Sequence, residues 1–160
     1  MDEERKERAI RLFEEAYKLQ MKGELDEAAG LYKKSIEFFP TAEAYTFLGW
    51  TYSFMGRLDD AIAECRKAIE VDPTFGNPYN DIGAYLIQKG EADEAIPWLE
   101  RALQAQRYAS YHFAHMNLGR VYEMKRDWLR AKDEYQKALT IDNDYAPAAQ
   151  GLARIRGFLN

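Results

Sequence analysis

The chain repeats itself four times at intervals close to 34 residues, and this internal period constrains its fold more than any other feature. Four segments superimpose along their length: GELDEAAGLYKKSI, GRLDDAIAECRKAI, GEADEAIPWLERAL and RDWLRAKDEYQKAL. The alanines that they share lie 33, 34 and 36 residues apart: Ala28, Ala61, Ala95 and Ala131. Small residues upstream keep the same intervals: Ala16, Gly49, Gly83 and Gly119. Two markers with one period predict a stack of units, each packed against its neighbours.

Within each repeat the apolar residues follow the spacing of an α-helix. Tyr45, Leu48 and Tyr52 fall on one helical face, and no segment alternates in the way of a half-buried strand. The pattern therefore predicts two helices in each repeat and a ninth helix at the end. The first helices are predicted at 2–21, 42–55, 77–89 and 110–125, the second helices at 25–38, 59–71, 93–106 and 128–141, and the ninth at 146–158.

Residues that stop and start helices recur with the same period. Glycines, which tolerate a left-handed backbone, follow three of the predicted first helices: Gly23, Gly56 and Gly90. Aspartates come three residues later, where a carboxylate is expected to cap the free N–H groups of the second helix: Asp26, Asp59 and Asp93. The positions of these glycines and aspartates agree with the predicted helix pairs.

The second repeat contains the fullest version of the pattern, which is an aromatic residue, Leu-Gly and Tyr, followed later by Ala, an aromatic position and Pro. Its residues are Tyr45, Leu48, Gly49, Tyr52, Ala61 and Pro73, with Cys65 in the aromatic position. On these residues the chain resembles the tetratricopeptide repeat (TPR) family. The resemblance implies an all-α fold, a right-handed α-solenoid (TPR superhelix) of helix-turn-helix repeats. It implies one TPR domain over 1–160, with repeats at about 9–41, 42–75, 76–111 and 112–145 and a capping helix at about 146–158.

Charge and cysteine content narrow the classes of partner. The chain has 22 Lys and Arg against 27 Asp and Glu, a net charge of −5 that opposes nonspecific nucleic-acid binding. Cys65 is the only cysteine, so neither an intrachain disulfide nor a Cys-rich zinc site can form. No apolar run is long enough to span a membrane, and the charged first residues do not resemble a signal peptide. We expect a cytoplasmic protein that binds neither nucleic acid nor membrane.

No catalytic, cofactor or metal motif is present in the sequence. There is no Gly-rich phosphate loop and no G-x-S-x-G. His112 and His115 are three residues apart, but the pattern HExxH is missing, and His115 occupies a position that tyrosines fill in other repeats. Cys65 is expected to be a buried, inert thiol. The sequence therefore predicts no enzyme, no cofactor and no metal site.

The resemblance implies that the first helix of each repeat lines a concave face, where TPR proteins usually bind ligands. By repeat position the candidate partner-binding residues are Phe13, Tyr17, Phe47, Trp50, Phe54, Asn80, Asp81, Phe113, Met116, Asn117 and Arg120. The aromatics of the first two repeats lie outside the core pattern and would form an apolar binding patch if exposed. Alternatively, they pack between adjacent first helices. Asn80, Asp81, Asn117 and Arg120 would form the polar end of the same groove.

The expected function is a non-enzymatic scaffold or adaptor that binds an apolar or amphipathic peptide or helix of a partner protein in the groove. The alternative is self-assembly into homo-oligomers through the N-terminal helix or the groove. Chaperone C-terminal tails are not expected partners, because a carboxylate clamp needs cations and its positions hold residues such as Phe13, Phe47 and Asp81. Residues 107–115 either pack their aromatics locally or form a rim of the site.

Overall fold

The computed structural model describes residues 1–160 and consists of nine α-helices and one 3₁₀ turn. The helices are α1 (Asp2–Met21), α2 (Leu25–Phe38), α3 (Ala42–Phe54), α4 (Leu58–Val71), α5 (Asn77–Gln88), α6 (Ala92–Gln104), α7 (Tyr111–Met124), α8 (Trp128–Ile141) and α9 (Ala146–Ile155), and the 3₁₀ turn is Arg156–Phe158. All nine predicted helices are confirmed, with the largest difference at the end of α9. The only bridge of β type joins two loops, at Phe75 and Arg107.

The helices form a curved stack in which each helix packs against the next one along the chain. The first helices of successive repeats, α1, α3, α5 and α7, also contact one another, and α7 contacts α9. The second helices do not contact one another to a comparable extent. Because a curved stack brings its elements closest together on the inside, the first helices line the concave face.

A recurring contact between a small residue and a larger one closes each helix pair. The residues of the aromatic position are fully buried on the second helices: Tyr32, Cys65, Leu99 and Tyr135. Each of the last three faces a glycine on the first helix of its repeat, and a β-carbon on Gly83 would lie 2.6 Å from Leu99 Cγ. The absence of a side chain at these glycines therefore allows the helices of a pair to approach closely.

The predicted role of the glycines at the helix ends is confirmed, whereas the predicted capping of the second helices by aspartates is wrong. Gly23, Gly56 and Gly90 have φ angles of +82°, +78° and +82°. The capping positions before α2, α4 and α6 are instead occupied by Glu24, Arg57 and Glu91, without side-chain capping bonds. Asp26, Asp59 and Asp93 lie within the first turn, where their charge still favours the helix dipole. Two of them link repeats: Asp59 with Lys89 and Asp93 with Lys125.

The fourth repeat places an arginine where the other repeats have the left-handed glycine. Arg126 has a φ angle of 59°, and it is the only non-glycine residue with a positive φ. We expect Arg126→Gly to raise the free energy of unfolding by about 0.5–1 kcal/mol. A left-handed backbone costs a non-glycine residue about 1–2 kcal/mol, and the larger conformational entropy that glycine loses on folding offsets part of the gain. Urea unfolding measures the change. Gln136→Gly, on the exposed surface of α8, is the control and should lose about 1 kcal/mol; equal losses in both variants would contradict the strain at Arg126.

The longer junction before α7 is tied to the preceding repeat. The N–H of Arg107 donates to the carbonyl of Thr74, at 2.9 Å, and its carbonyl accepts from the N–H of Gly76, at 3.0 Å. The Arg107 guanidinium donates to Asp72 and Glu43. Tyr108 is buried and packs edge-on against Tyr111. Tyr108 therefore packs locally, which was one of the two alternatives for residues 107–115.

The last helix covers the open side of the fourth repeat. Ile155 is buried on α9, and Gly151 lies against the Tyr135 ring. The ring of Phe158, in the 3₁₀ turn, stacks on that of Trp128 at 4.2 Å. None of the helices is sufficiently long and apolar to cross a membrane.

Candidate functional site: the concave groove

Five aromatic side chains of α1 and α3 form a continuous band along the concave face. Phe47 lies at the centre, with ring centroids 5.1 Å from Phe13, 5.8 Å from Tyr17 and 5.8 Å from Trp50. The Trp50 ring lies 5.1 Å from Phe54. Most of these contacts are edge-to-face, the arrangement that aromatic rings prefer. We refer to these five residues as the aromatic band.

The aromatic band both packs between repeats and faces solvent. Phe13, Phe47 and Trp50 are half-buried, and Phe13 also contacts the buried ring of Tyr32. Tyr17 and Phe54 remain 42% and 58% exposed. Packing between repeats therefore comes from Phe13 and Tyr17 of α1 against Phe47 of α3, whereas Trp50 and Phe54 contact each other within α3. Tyr17 and Phe54 are the members that expose most surface to a ligand.

The exposed apolar surface extends beyond the predicted site residues. Eleven large hydrophobic residues are exposed, and six of them lie on first helices: Ile10, Tyr17, Met21, Phe54, Phe113 and Met124. Ile10 also lines a cleft of about 420 Å³ with Phe39, beside α1. Phe39 lies directly after α2, at the end of the first repeat and just before Pro40, and it is not one of the recurring positions. Because soluble proteins seldom cluster exposed apolar residues on one face, this distribution favours a binding surface.

The polar end of the groove differs from the prediction. Asn80 and Asn117 are buried, at 7% and 3% exposure, and the Asn117 Nδ2 donates to Asn80 Oδ1 at 3.0 Å. Arg120 donates to Asn117 Oδ1 at 3.2 Å. These side chains therefore hydrogen-bond one another between α5 and α7. Arg120 and Asp81 are the half-buried members of the predicted polar end, and Met116, one turn from Arg120 on α7, is half-buried too.

A cleft of about 310 Å³ connects the aromatic band to the third and fourth repeats. Its lining residues come from α3, α5, the junction and α7: Thr46, Phe47, Trp50, Asn77, Asn80, Asp81, Tyr108 and Phe113. We refer to it as the Asp81 cleft. Tyr108 was not among the named candidate residues, but it lies in residues 107–115, for which local packing and a rim of the site were the two alternatives. The cleft brings together five predicted site residues from three different repeats: Phe47, Trp50, Asn80, Asp81 and Phe113.

Asp81 is the acidic group of this cleft. It is half-buried, and burial raises the pKa of its carboxyl group from an ordinary 3.8 to about 7, opposed only by a hydrogen bond from Asn80. Burial, and next the charge of Asp81, raise the pKa of the Tyr108 hydroxyl. An ionised Asp81 is therefore held in the folded chain at a cost in free energy.

This cost predicts how stability depends on pH. Between pH 3.8 and about 7 the folded chain retains a proton on Asp81 that the unfolded chain releases, so the free energy of unfolding falls as pH rises through this window. Asp81→Asn cannot ionise and should not show the fall. Urea unfolding of both proteins below and above the window measures it. Parallel pH profiles for the two proteins would contradict the raised pKa.

The histidines and the cysteine are not assembled into a reactive site. The His115 Nδ1 lies 2.7 Å from Glu134 Oε2, and His112 packs against the rings of Phe113 and Tyr145. Cys65 is fully buried, and burial raises the pKa of its thiol. No group of three or more His, Cys, Asp or Glu side chains is placed to hold a metal ion.

Comparison with known proteins identifies the repeat. Sequence profiles described as tetratricopeptide repeat match residues 42–75 and 75–144. The chain belongs to the tetratricopeptide repeat family. Tetratricopeptide repeat protein 14 of Mus musculus is 29% identical over 117 residues, which are 70% of this chain and 15% of that protein. TPR repeat-containing thioredoxin TTL4 of Arabidopsis thaliana is 31% identical over 75 residues, 46% of this chain and 11% of that protein. This TPR chain therefore spans only a small part of the length of these relatives.

Solved TPR structures have the same arrangement of helices. The crystal structure of MamA superposes with a TM-score of 0.73 over 91% of this chain and 79% of MamA, at 28% identity. The pilF protein of Pseudomonas aeruginosa superposes with a TM-score of 0.85 over 97% of this chain and 72% of that protein. The identity to pilF is 22%, so that likeness shows the fold alone. TPR proteins generally mediate contacts between proteins.

Proposed function

We propose that this TPR chain is a non-enzymatic adaptor that binds an apolar or amphipathic segment of a partner protein in its concave groove. The aromatic band is the observation that carries the proposal. Tyr17 and Phe54 expose large rings on the inner face of the stack, and the half-buried Trp50 lies beside Phe54. Aromatic residues dominate the energetics of protein interfaces, especially when neighbouring rings hold them rigid.

The groove also has the shape that an extended or helical segment needs. The exposed apolar residues lie on the first helices of the first, second and fourth repeats, from Ile10 in α1 to Met124 in α7, so a ligand that follows the groove can contact both ends of the stack. Inner members of the aromatic band are fixed by contacts between α1 and α3, which limits the entropy that they lose on binding. The proposed segment therefore buries its apolar residues against a preformed surface.

Removal of the two outer rings tests this proposal. Tyr17→Ala/Phe54→Ala should keep its helicity, because both side chains are exposed, and should lose partners that the unmodified chain retains from a lysate of its source organism. Leu129→Ala is the matched control, because Leu129 is 74% exposed on α8, outside the groove. Loss of the same partners from the Leu129→Ala sample, or no loss from the double variant, would contradict a groove site.

Self-assembly remains the second candidate, favoured by the cleft of about 420 Å³ between α1 and the loop before α3. Ile10, Phe13 and Phe39 line it, so an apolar helix of another copy could occupy it. Light scattering over a range of concentrations separates the two functions. A monomer at tens of micromolar, roughly the range of weak specific dimers, would contradict self-assembly.

A further inference from the structure

The Asp81 cleft holds an acidic group without a cation. The Asp81 carboxylate forms no ion pair, and its environment contains no positive charge that counteracts its burial. The other acid near this end of the groove, Glu43, is already paired with Arg107, at 2.9 Å. Arg120 donates instead to Asn117. The folded chain thus gives this carboxylate a hydrogen bond from Asn80 but no cation.

The same cleft has several aromatic walls. Tyr108 is buried and contributes to the lining from the junction before α7. Phe47 and Trp50 line one side of the cleft, from α3, and Phe113 lines it from α7. Aromatic faces attract cations, and they do so more strongly where water is excluded.

We propose that the Asp81 cleft receives the guanidinium group of an arginine side chain, presented by the segment that occupies the groove. This inference rests on the proposed function, because the arginine belongs to a segment held by the aromatic band. Asp81 accepts the charged N–H groups, and the aromatic walls stack against the guanidinium plane. The ligand is therefore an arginine flanked by apolar residues.

Arginine matches the cleft better than lysine does. A guanidinium is planar, is weakly hydrated and donates several hydrogen bonds in fixed directions, so it can stack on Trp50 and pair with Asp81 together. An ammonium group is a compact and strongly hydrated charge, so its desolvation costs more free energy when it enters a cleft lined by aromatic rings. An anionic group would meet Asp81 with the wrong charge. The chemistry of the lining therefore selects a flat cation.

Two peptides that differ only in charge test the proposal. The probes are acetyl-Leu-Arg-Leu-amide and the same peptide with citrulline, in which a neutral urea replaces the guanidinium. NMR titrations follow the Trp50 indole and the Asn80 side-chain amide. We expect the arginine peptide to bind about ten-fold more tightly than the citrulline peptide, the difference that one charge-assisted pair supplies. A lysine peptide is expected between the two. Equal affinity for the arginine and citrulline peptides would overturn the proposal, as would no binding of the arginine peptide.

Two single-residue variants test whether a preference for the arginine peptide over the citrulline peptide comes from the Asp81 cleft. Asp81→Asn should reduce the affinity for the arginine peptide to that of the citrulline peptide, whereas Glu100→Gln, which removes an exposed charge on α6, should leave the preference intact. An arginine preference that survives in Asp81→Asn would overturn the proposal.

Phe54→Ala separates this inference from the proposed function. If Phe54→Ala weakens both peptides equally and no arginine preference exists, the groove stands and the cleft proposal fails. If an Asp81-dependent preference exists but Phe54→Ala changes nothing, the cleft stands and the groove assignment fails.

Discussion

The Leu99→Ala variant is expected to be about 3 kcal/mol less stable than the unmodified chain. Leu99 is fully buried on α6, in the position that closes the third helix pair. Its side chain lies against Gly83 of α5, so truncation leaves a cavity between two backbones that cannot fully collapse. Urea unfolding followed by far-UV circular dichroism measures the loss. Leu129→Ala, at an exposed leucine, should change stability by less than about 0.5 kcal/mol.

The same contact predicts a non-additive pair of substitutions. Gly83→Ala alone should cost about 1–2 kcal/mol, because the new methyl group would lie 2.6 Å from Leu99 Cγ. In the Leu99→Ala background the same substitution should cost nothing, because the cavity accepts the methyl group and alanine favours the helix. The coupling free energy should therefore reach at least about 1 kcal/mol. Additive losses would contradict the close approach of α5 and α6.

The Trp50→Ala variant is expected to weaken binding of the partner segment by about 2 kcal/mol, roughly thirty-fold. Trp50 lies between Phe47 and Phe54, so its removal deletes an anchor and loosens the exposed ring beside it. It also lines the Asp81 cleft, which places it at the junction of the apolar and acidic parts of the groove. Once a partner is in hand, isothermal titration of both proteins measures the change.

The stability of Trp50→Ala decides how its binding is interpreted. Trp50 is half-buried, so the variant should remain helical and unfold cooperatively. Trp98→Ala is a suitable control, because Trp98 is also half-buried but lies on α6, outside the groove. Trp98→Ala should keep its affinity for the partner. If Trp50→Ala does not fold, Trp50 belongs to the core and the groove lacks its central anchor.

The fold could be predicted because the residues that define it recur. Leu99 and Gly83 meet as their counterparts do in the neighbouring repeats, so a single period reveals helix number, pairing and core positions together. The left-handed turn after α7 shows the limit of this reasoning. Arg126 occupies it without a glycine, and the N–H of Asp127 still donates to the Tyr122 carbonyl, as the corresponding groups do after the other first helices.

The groove could be predicted only in part, because a repeat position fixes the direction of a side chain but not what covers it. Phe54 is exposed as the pattern suggests. The repeat positions of Asn80 and Asn117 predict side chains that face the groove. Both side chains are instead buried, and they hydrogen-bond each other between adjacent repeats. Tyr108 reaches the Asp81 cleft from a junction that departs from the period. Contacts between repeats and insertions therefore decide the details of the site.

Site-specific photo-crosslinking tests the central claim most directly. A benzoylphenylalanine placed at position 54, on the groove, is compared with one placed at position 129, on α8, in a lysate of the source organism. The groove account predicts an adduct with another protein from position 54, reduced by Trp50→Ala and missing from position 129. Adducts of equal yield from both positions, or adducts only between two copies of this chain, would contradict it.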